Sequence, residues 1–349
     1  MTVSLDGYVT GSADRVDAAM GMNGFRLFQL ARPGATTRTP SGQVYAELMA
    51  TRAVISGRRT YDHADRRYAD LRSPPPHSTS VYTPPMDAST VMGMTGYIEV
   101  AGLRMWHEVS GEGDPLVLLH GGFVGASSFF TQVPALVEAG YRVHVPERRG
   151  HAHTPDVEGP LSYSVMADDM VAYLEQEVGA PAHLVGWSDG AVVALLVARH
   201  RPDLVARMVL IGQYYNSSGR VAGGDLVAYL NSPEAITFLR RAYDPVSPDG
   251  PDHFPVVHAK MMHMITTEPE IALDTLAGIT APTLVLQGDR DEVTVEHSLA
   301  VVAALPEARL AVLPGTHTLP VEHPELVNPL ILSFLRGTEP APDWNAFTG

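Results

Sequence analysis

Residues Gly186-Trp187-Ser188-Asp189-Gly190 join an apolar run, Ala182 to Val185, that reads as a short buried strand, to Ala191–Arg199, which reads as an amphipathic helix. A Gly-x-Ser-x-Gly at such a junction requires a sharp turn. The flanking glycines let the backbone make it, and the serine hydroxyl is pushed out at the C-terminal edge of the strand. The helix that follows points its N-terminus at the same spot, where it favours developing negative charge. The bare five-residue pattern arises readily by chance in a chain with 31 glycines, so its meaning depends on context.

Upstream, Pro115 to Leu119 forms an apolar strand candidate that runs into His120-Gly121-Gly122-Phe123. Downstream, Thr283 to Gly288 and Leu310 to Gly315 read as two further buried strands, followed by Asp289-Arg290-Asp291 and by Thr316-His317. The order Ser, Asp, His, each just past a predicted strand, is the one a nucleophile elbow predicts. A serine hydroxyl is too weakly acidic to attack a carbonyl unaided and needs a base within hydrogen-bond reach. The glycine loop is where such a design places one backbone N–H of an oxyanion hole, with Gly122 the first choice and Phe123 the second. The other N–H comes from Asp189, the residue after the nucleophile. His323 competes with His317, and Asp289 and Glu292 compete with Asp291.

The segments LLHGG, ERRGH (Glu147 to His151), GWSDG, LQGDRDEV and LPGTHTLPVEHPEL make residues 94–335 resemble an α/β-hydrolase of the serine esterase and peptidase branch. The resemblance implies an α/β fold with a doubly wound, mostly parallel eight-stranded sheet, helices on both faces and a helical cap inserted late in the chain. It implies Ser188 as nucleophile, His317 as general base and Asp291 as the acid that orients it. LPGTHTLP aligns on His317, and G-D-R-D favours Asp291, leaving Asp289 to shape the turn and His323 to start the last helix. Dehalogenases and epoxide hydrolases of this fold carry a carboxylate at the elbow, so Ser188 argues against both. Ala191 stands where the family often has a second glycine, a small change that should be tolerated.

The expected activity is hydrolysis of a small ester, thioester, lactone or activated amide through an acyl-enzyme, with no cofactor and no metal. One alternative is an aminopeptidase or amino-acid ester hydrolase, in which the Asp189 carboxylate binds a substrate ammonium group instead of capping its helix. Another is a non-catalytic ligand-binding receptor on the same fold, against which three intact site residues argue.

Strand candidates at 97–100, 103–109, 115–119, 141–146, 182–187, 207–212, 282–287 and 308–313 alternate with helical stretches at 128–138, 163–177, 190–200, 296–304 and 324–336. Such alternation demands parallel pairing, with sites at the C-terminal ends of the strands. The rhythm stops at about 213–280, where Leu226 to Leu230, Ala235 to Tyr243 and Val256 to Thr266 are predicted helices of a lid, with Asp244 to Pro255 a turn-rich hinge. His253, His258 and His263 stand five apart, a spacing that does not stack them on one helix face, so a metal site is not expected. Met261, Met262 and Met264 suit packing or an adaptable apolar pocket. Arg148, Arg149, His151 and His153 follow a strand end, where structural pairing and helix docking are expected.

Residues 1–70 differ in character. Val3 to Val9 reads as one strand, and VSLDGYVTG and ISGRRTYD resemble the opening of the reductase domain of riboflavin-pathway and dihydrofolate-reductase-like proteins. The likeness ends near residue 65, before the later strands and the second cofactor loop, which implies a truncated fragment left by gene fusion and no NADPH chemistry. Residues 71–93, with Pro74-Pro75-Pro76 and Pro84-Pro85, read as a linker before the hydrolase-like part at 94–349. Residues 1–93 carry ten basic against eight acidic side chains, and the remainder fourteen against thirty-one. An acidic body repels nucleic acid and anionic membrane, leaving a small-molecule substrate as the expected partner. The absence of cysteine excludes disulfides, thiolate zinc sites and cysteine nucleophiles. With no signal-like N-terminus and no long apolar run, a cytoplasmic protein is expected; the sequence does not specify an oligomeric state.

Overall fold

A computed structural model describes residues 93–221 and 226–337, together with strands β1 (Thr2–Val3) and β2 (Val9–Thr10). The single strand expected over Val3 to Val9 is instead this antiparallel pair, Thr2 opposite Thr10 and Val3 opposite Val9. The rest of the reductase-like stretch and of the linker lies outside the described residues.

The main body is an eight-stranded sheet in the order β10-β9-β8-β7-β5-β6-β4-β3. Strands β3 (Met94–Val100) and β4 (Leu103–Ser110) form an antiparallel edge, and β4 pairs antiparallel with β6. The other six, β5 (Asp114–Leu119), β6 (Tyr141–Pro146), β7 (Ala182–Trp187), β8 (Val205–Ile211), β9 (Thr283–Arg290) and β10 (Ala308–Thr316), are parallel. Buried parallel strands are apolar on both faces. In β5, Val117 and Leu119 enter one core layer and Leu116 and Leu118 the other; in β8, Met208 and Leu210 alternate likewise with Val209 and Ile211.

Helices cover both faces. On one lie α2 (Tyr163–Tyr173) and α3 (Asp189–His200), and every α3 residue from Asp189 to Ala198 is buried. On the other lie α1 (Gln132–Glu138), α8 (Leu319–Glu322) and α9 (Pro324–Arg336), while α7 (Val295–Ala304) packs by β9 and β10. The helix predicted over 128–138 divides into a 3₁₀ turn, Ala126–Phe129, and α1. The one predicted over 163–177 continues past α2 as a π-helical turn, Leu174–Val178.

Between β8 and β9 come α4 (Leu226–Leu230), α5 (Pro233–Tyr243) and α6 (Phe254–Thr267). Ser232 caps α5 by accepting the Ala235 N–H at 3.1 Å, and Pro233 sets the first helical φ. α6 buries Phe254, Val257, Met261, Met264 and Ile265. Asp156, in the loop after β6, accepts from Lys260 Nζ at 2.7 Å and meets His253 Nε2 at 2.9 Å, joining this insertion to the body. Among the described residues no helix is long and apolar enough to cross a membrane.

Strand order reverses between β5 and β7: the chain moves one way to β6 and the other way through β8, β9 and β10. Such a switch point leaves a crevice outside the carboxyl ends of the strands. The loop after β5 and the turn after β7 both open into it.

Candidate active site

The turn after β7 is held by close backbone packing. A Cβ added at Gly190 would sit 1.9 Å from the Leu119 carbonyl oxygen, and one at Gly186 would sit 2.4 Å from the Gly190 oxygen. Neither position has room for a side chain, which is why α3 can start hard against the end of β5. Ser188, between them, has φ 55° and ψ −121°, a left-handed φ that non-glycine residues seldom adopt. Its N–H bonds the Ile211 carbonyl at 2.8 Å.

Strands β9 and β10 deliver the partners. Their pairing continues through an irregularity to place Thr316 opposite Arg290, so Asp291 and His317 are the next residues on neighbouring strand ends. His317 Nε2 lies 2.8 Å from Ser188 Oγ, and His317 Nδ1 lies 2.7 Å from Asp291 Oδ1. Asp291 Oδ1 also accepts the Val293 N–H at 3.2 Å, and the Trp187 indole N–H donates to the His317 carbonyl at 2.8 Å. Gly212, at the end of β8, makes the space: its φ is +59°, and a Cβ there would approach His317 Nδ1 to 2.9 Å. Burial pushes the His317 imidazole pKa down, but the hydrogen bond and charge of Asp291, helped by Asp189 and Glu292, outweigh it, and the net shift is upward.

Two of the competing residues are engaged elsewhere, while Glu292 adds only its charge near His317. Asp289 accepts the Gly315 N–H at 2.9 Å and ties β9 to β10; the exposed His323 meets Glu325 at 3.0 Å. His258 bonds the Leu230 carbonyl at 3.0 Å, with its ring 5.5 Å from that of Phe123. Phe123 has a left-handed φ of 61°.

The loop after β5 lies against the serine, since a Cβ added at Gly121 would be 3.5 Å from Ser188 Cβ. Behind it sits the fully buried Arg148, donating from Nη2 to the Gly121 carbonyl at 3.0 Å and from Nη1 to the His120 carbonyl. The Arg148 backbone N–H is 3.1 Å from His120 Nε2. A backbone N–H can only donate, so Nε2 is the acceptor; in the neutral ring, Nδ1 then carries the proton and donates to the Gly121 carbonyl at 2.8 Å. Burial first, then the Arg148 and His151 charges, hold the His120 pKa well below the ordinary value, consistent with a neutral ring.

Asp189 departs from the expectation that its carboxylate caps the helix. It does not cap α3. Its Oδ1 accepts from the Tyr163 hydroxyl at 2.7 Å and the Tyr214 hydroxyl at 2.9 Å, while buried Oδ2 has no partner. Burial, and next the Asp189 charge, raise both phenol pKa values well above normal, which keeps them protonated donors. Oδ2 faces Gly122, where an added Cβ would come within 2.5 Å of it and 3.3 Å of Met261 Cε on α6.

Sequence reasoning missed Arg148, Tyr163, Tyr214 and Gly212 as parts of the site. Gly212, a glycine closing a predicted strand, and Arg148, within the ERRGH segment, left local signals, though neither showed its part in the site. Arg149 does dock a helix, through a two-pronged pair with Asp169 on α2 at 2.6 Å for each bond.

Known proteins give the same fold. The profile described as the alpha/beta hydrolase family matches residues 116–330, well over half of the chain. The serine hydrolase BPHL of Homo sapiens is 25% identical over 252 residues, covering 68% of this chain and 85% of that protein. The 2-hydroxy-6-oxo-6-phenylhexa-2,4-dienoate hydrolase of Burkholderia cepacia is 29% identical over 274 residues, covering 68% and 92%. Among solved structures, an esterase from Exiguobacterium antarcticum aligns with TM-score 0.57 and 22% identity over 70% of this chain and 100% of its own, a likeness of fold.

Proposed function

The chain belongs to the alpha/beta hydrolase family, an enzyme fold, and on that premise we propose that it is a serine hydrolase working through an acyl-enzyme on Ser188. The observation that carries this is the continuous relay of 2.8 Å from Ser188 Oγ to His317 Nε2 and 2.7 Å from His317 Nδ1 to Asp291. Ser188 Oγ attacks the substrate carbonyl carbon as His317 Nε2 takes its proton, and Asp291 holds the imidazolium that results. The N–H groups of Gly122 and Asp189, at the loop after β5 and the start of α3, stabilise the oxyanion, with Phe123 the second choice in the loop. Collapse breaks the bond to the leaving group, which takes the proton from Nε2. Water then repeats the sequence on the acyl-enzyme and frees Ser188.

The substrate class is a small ester, thioester, lactone or activated amide. A second reading, an ester or amide bearing a free amine, is favoured by one observation: the partnerless Asp189 Oδ2 beside the loop. The experiment is hydrolysis of p-nitrophenyl esters of rising acyl length, plus aminoacyl esters, by wild type and Ser188→Ala. Turnover in wild type and a loss of about 10³-fold or more in the variant is expected. A variant within tenfold of wild type removes the acyl-enzyme; a preference for aminoacyl over matched acyl esters that Asp189→Asn abolishes establishes the second reading.

A further inference from the structure

We propose that Arg148 is a positioning residue of the oxyanion hole, which grips the Gly121 carbonyl from behind and so aims and polarises the Gly122 N–H. The inference rests on the acyl-enzyme reading above. In a trans peptide the C=O and N–H point in opposite directions, so whatever fixes the Gly121 oxygen fixes the direction of the Gly122 N–H. A Gly-Gly peptide has little preference of its own for one orientation over its flipped form. Here orientation comes from outside. The Gly121 oxygen receives two donors, Arg148 Nη2 at 3.0 Å and His120 Nδ1 at 2.8 Å, while Arg148 Nη1 holds the preceding carbonyl. A planar guanidinium presents such a fork of donors in fixed geometry. Its charge also sits at the acceptor end of the amide, which draws electron density from the N–H and makes it a stronger donor.

Charge neutralisation alone does not account for this arrangement. Burial pushes the Arg148 pKa down to about 10, against the opposing pull of Asp189, so the side chain remains a cation at neutral pH. Yet the carboxylate Oδ2 of Asp189 has no partner, and both terminal guanidinium nitrogens are spent on carbonyls of the loop. A buried cation is costly to hold, and this one is turned toward the peptide that faces Ser188 rather than toward an acid.

The test compares wild type, Arg148→Met and Arg148→Lys on a p-nitrophenyl ester and its thionoester, whose sulfur is a poor hydrogen-bond acceptor. Misaiming one donor should lower kcat for the ester about ten- to hundredfold with KM within about threefold, short of the loss from deleting a donor outright. The ester-to-thionoester rate ratio should fall in Arg148→Met and partly recover in Arg148→Lys, whose ammonium reaches one carbonyl at a time. A variant merely loosened would lose both substrates in parallel, and that outcome, or an unchanged kcat, overturns the proposal. If Arg148→Met does not fold, the Lys variant decides alone: a wild-type ratio there overturns it. Ester turnover surviving in Ser188→Ala would instead remove the acyl-enzyme reading and this inference with it.

Discussion

Two opposed forces meet on the His317 imidazole. Burial disfavours its protonation, and the carboxylate it leans on favours it; the carboxylate wins, so the pKa is raised. In the proposed reaction His317 must be neutral to accept a proton, so kcat/KM should fall on the acid side with an apparent pKa above the ordinary histidine value of about 6.5. In Asp291→Asn the acid limb should move to lower pH, and kcat should drop about 10²–10⁴-fold because tautomer and orientation are no longer held. A pH–rate profile checks both, and an acid limb that stays in place in the variant contradicts the assignment. Ser188, Asp291 and His317 were legible because each follows a strand that its own apolar run announces. Arg148, Tyr163 and Tyr214 were not: they come from the loop after β6, the start of α2 and the segment after β8, and meet only in three dimensions.

At the scale of elements, the buried strands were readable to within a few residues, since a run of apolar side chains is the physical requirement for a central parallel strand. The ends of β9 and β10 were not. They continue to Arg290 and Thr316 through pairing with each other, which no hydrophobic pattern records, and it is that extension which sets Asp291 beside His317. The insertion helices were also legible, from their own periodicity, but the contact joining them to the body was not, because Asp156 and Lys260 stand 104 residues apart. Asp156→Ala leaves Lys260 without that carboxylate and should destabilise the attachment of α6 by about 1–3 kcal/mol. Proteolysis within the segment between β8 and β9 should then accelerate several-fold, while Ser188 keeps its reactivity toward small esters. Unchanged cleavage kinetics would mean that the other contacts of the insertion, among them the Tyr163 N–H to Glu268 bond of 2.9 Å, hold it without the Asp156 carboxylate.

Across the whole molecule, buried imidazoles set a limit on acid tolerance. Burial lowers the pKa of His144 and His297 to about 4 and, with the Arg148 charge, that of His151 to about 3; His120 is lowered too. Folded, these rings stay neutral where the unfolded chain would protonate them. Their contribution to stability is present above the unfolded value of about 6.5 and is lost as pH falls from there toward 4, because the unfolded state then binds more protons. His107 and His183, lowered by burial as well, add to this loss, while His317 and the burial-raised carboxyls of Glu147 and Asp169 act in the opposite sense and offset part of it. The melting temperature should drop by more than about 5 °C between pH 7 and pH 5, given roughly 2–4 °C per kcal/mol for a domain of this size; a flat profile in calorimetry would contradict this. The same long-range build governs when chemistry can begin. Ser188 and its proposed base, His317, are 129 residues apart, contributed by the turn after β7 and by the end of β10. During synthesis the proposed nucleophile therefore leaves the ribosome long before its proposed base, and a chain released early should carry a serine as inert as any other. On that reading geometry silences premature fragments, and labelling of Ser188 by a fluorophosphonate should report that the last strand has docked.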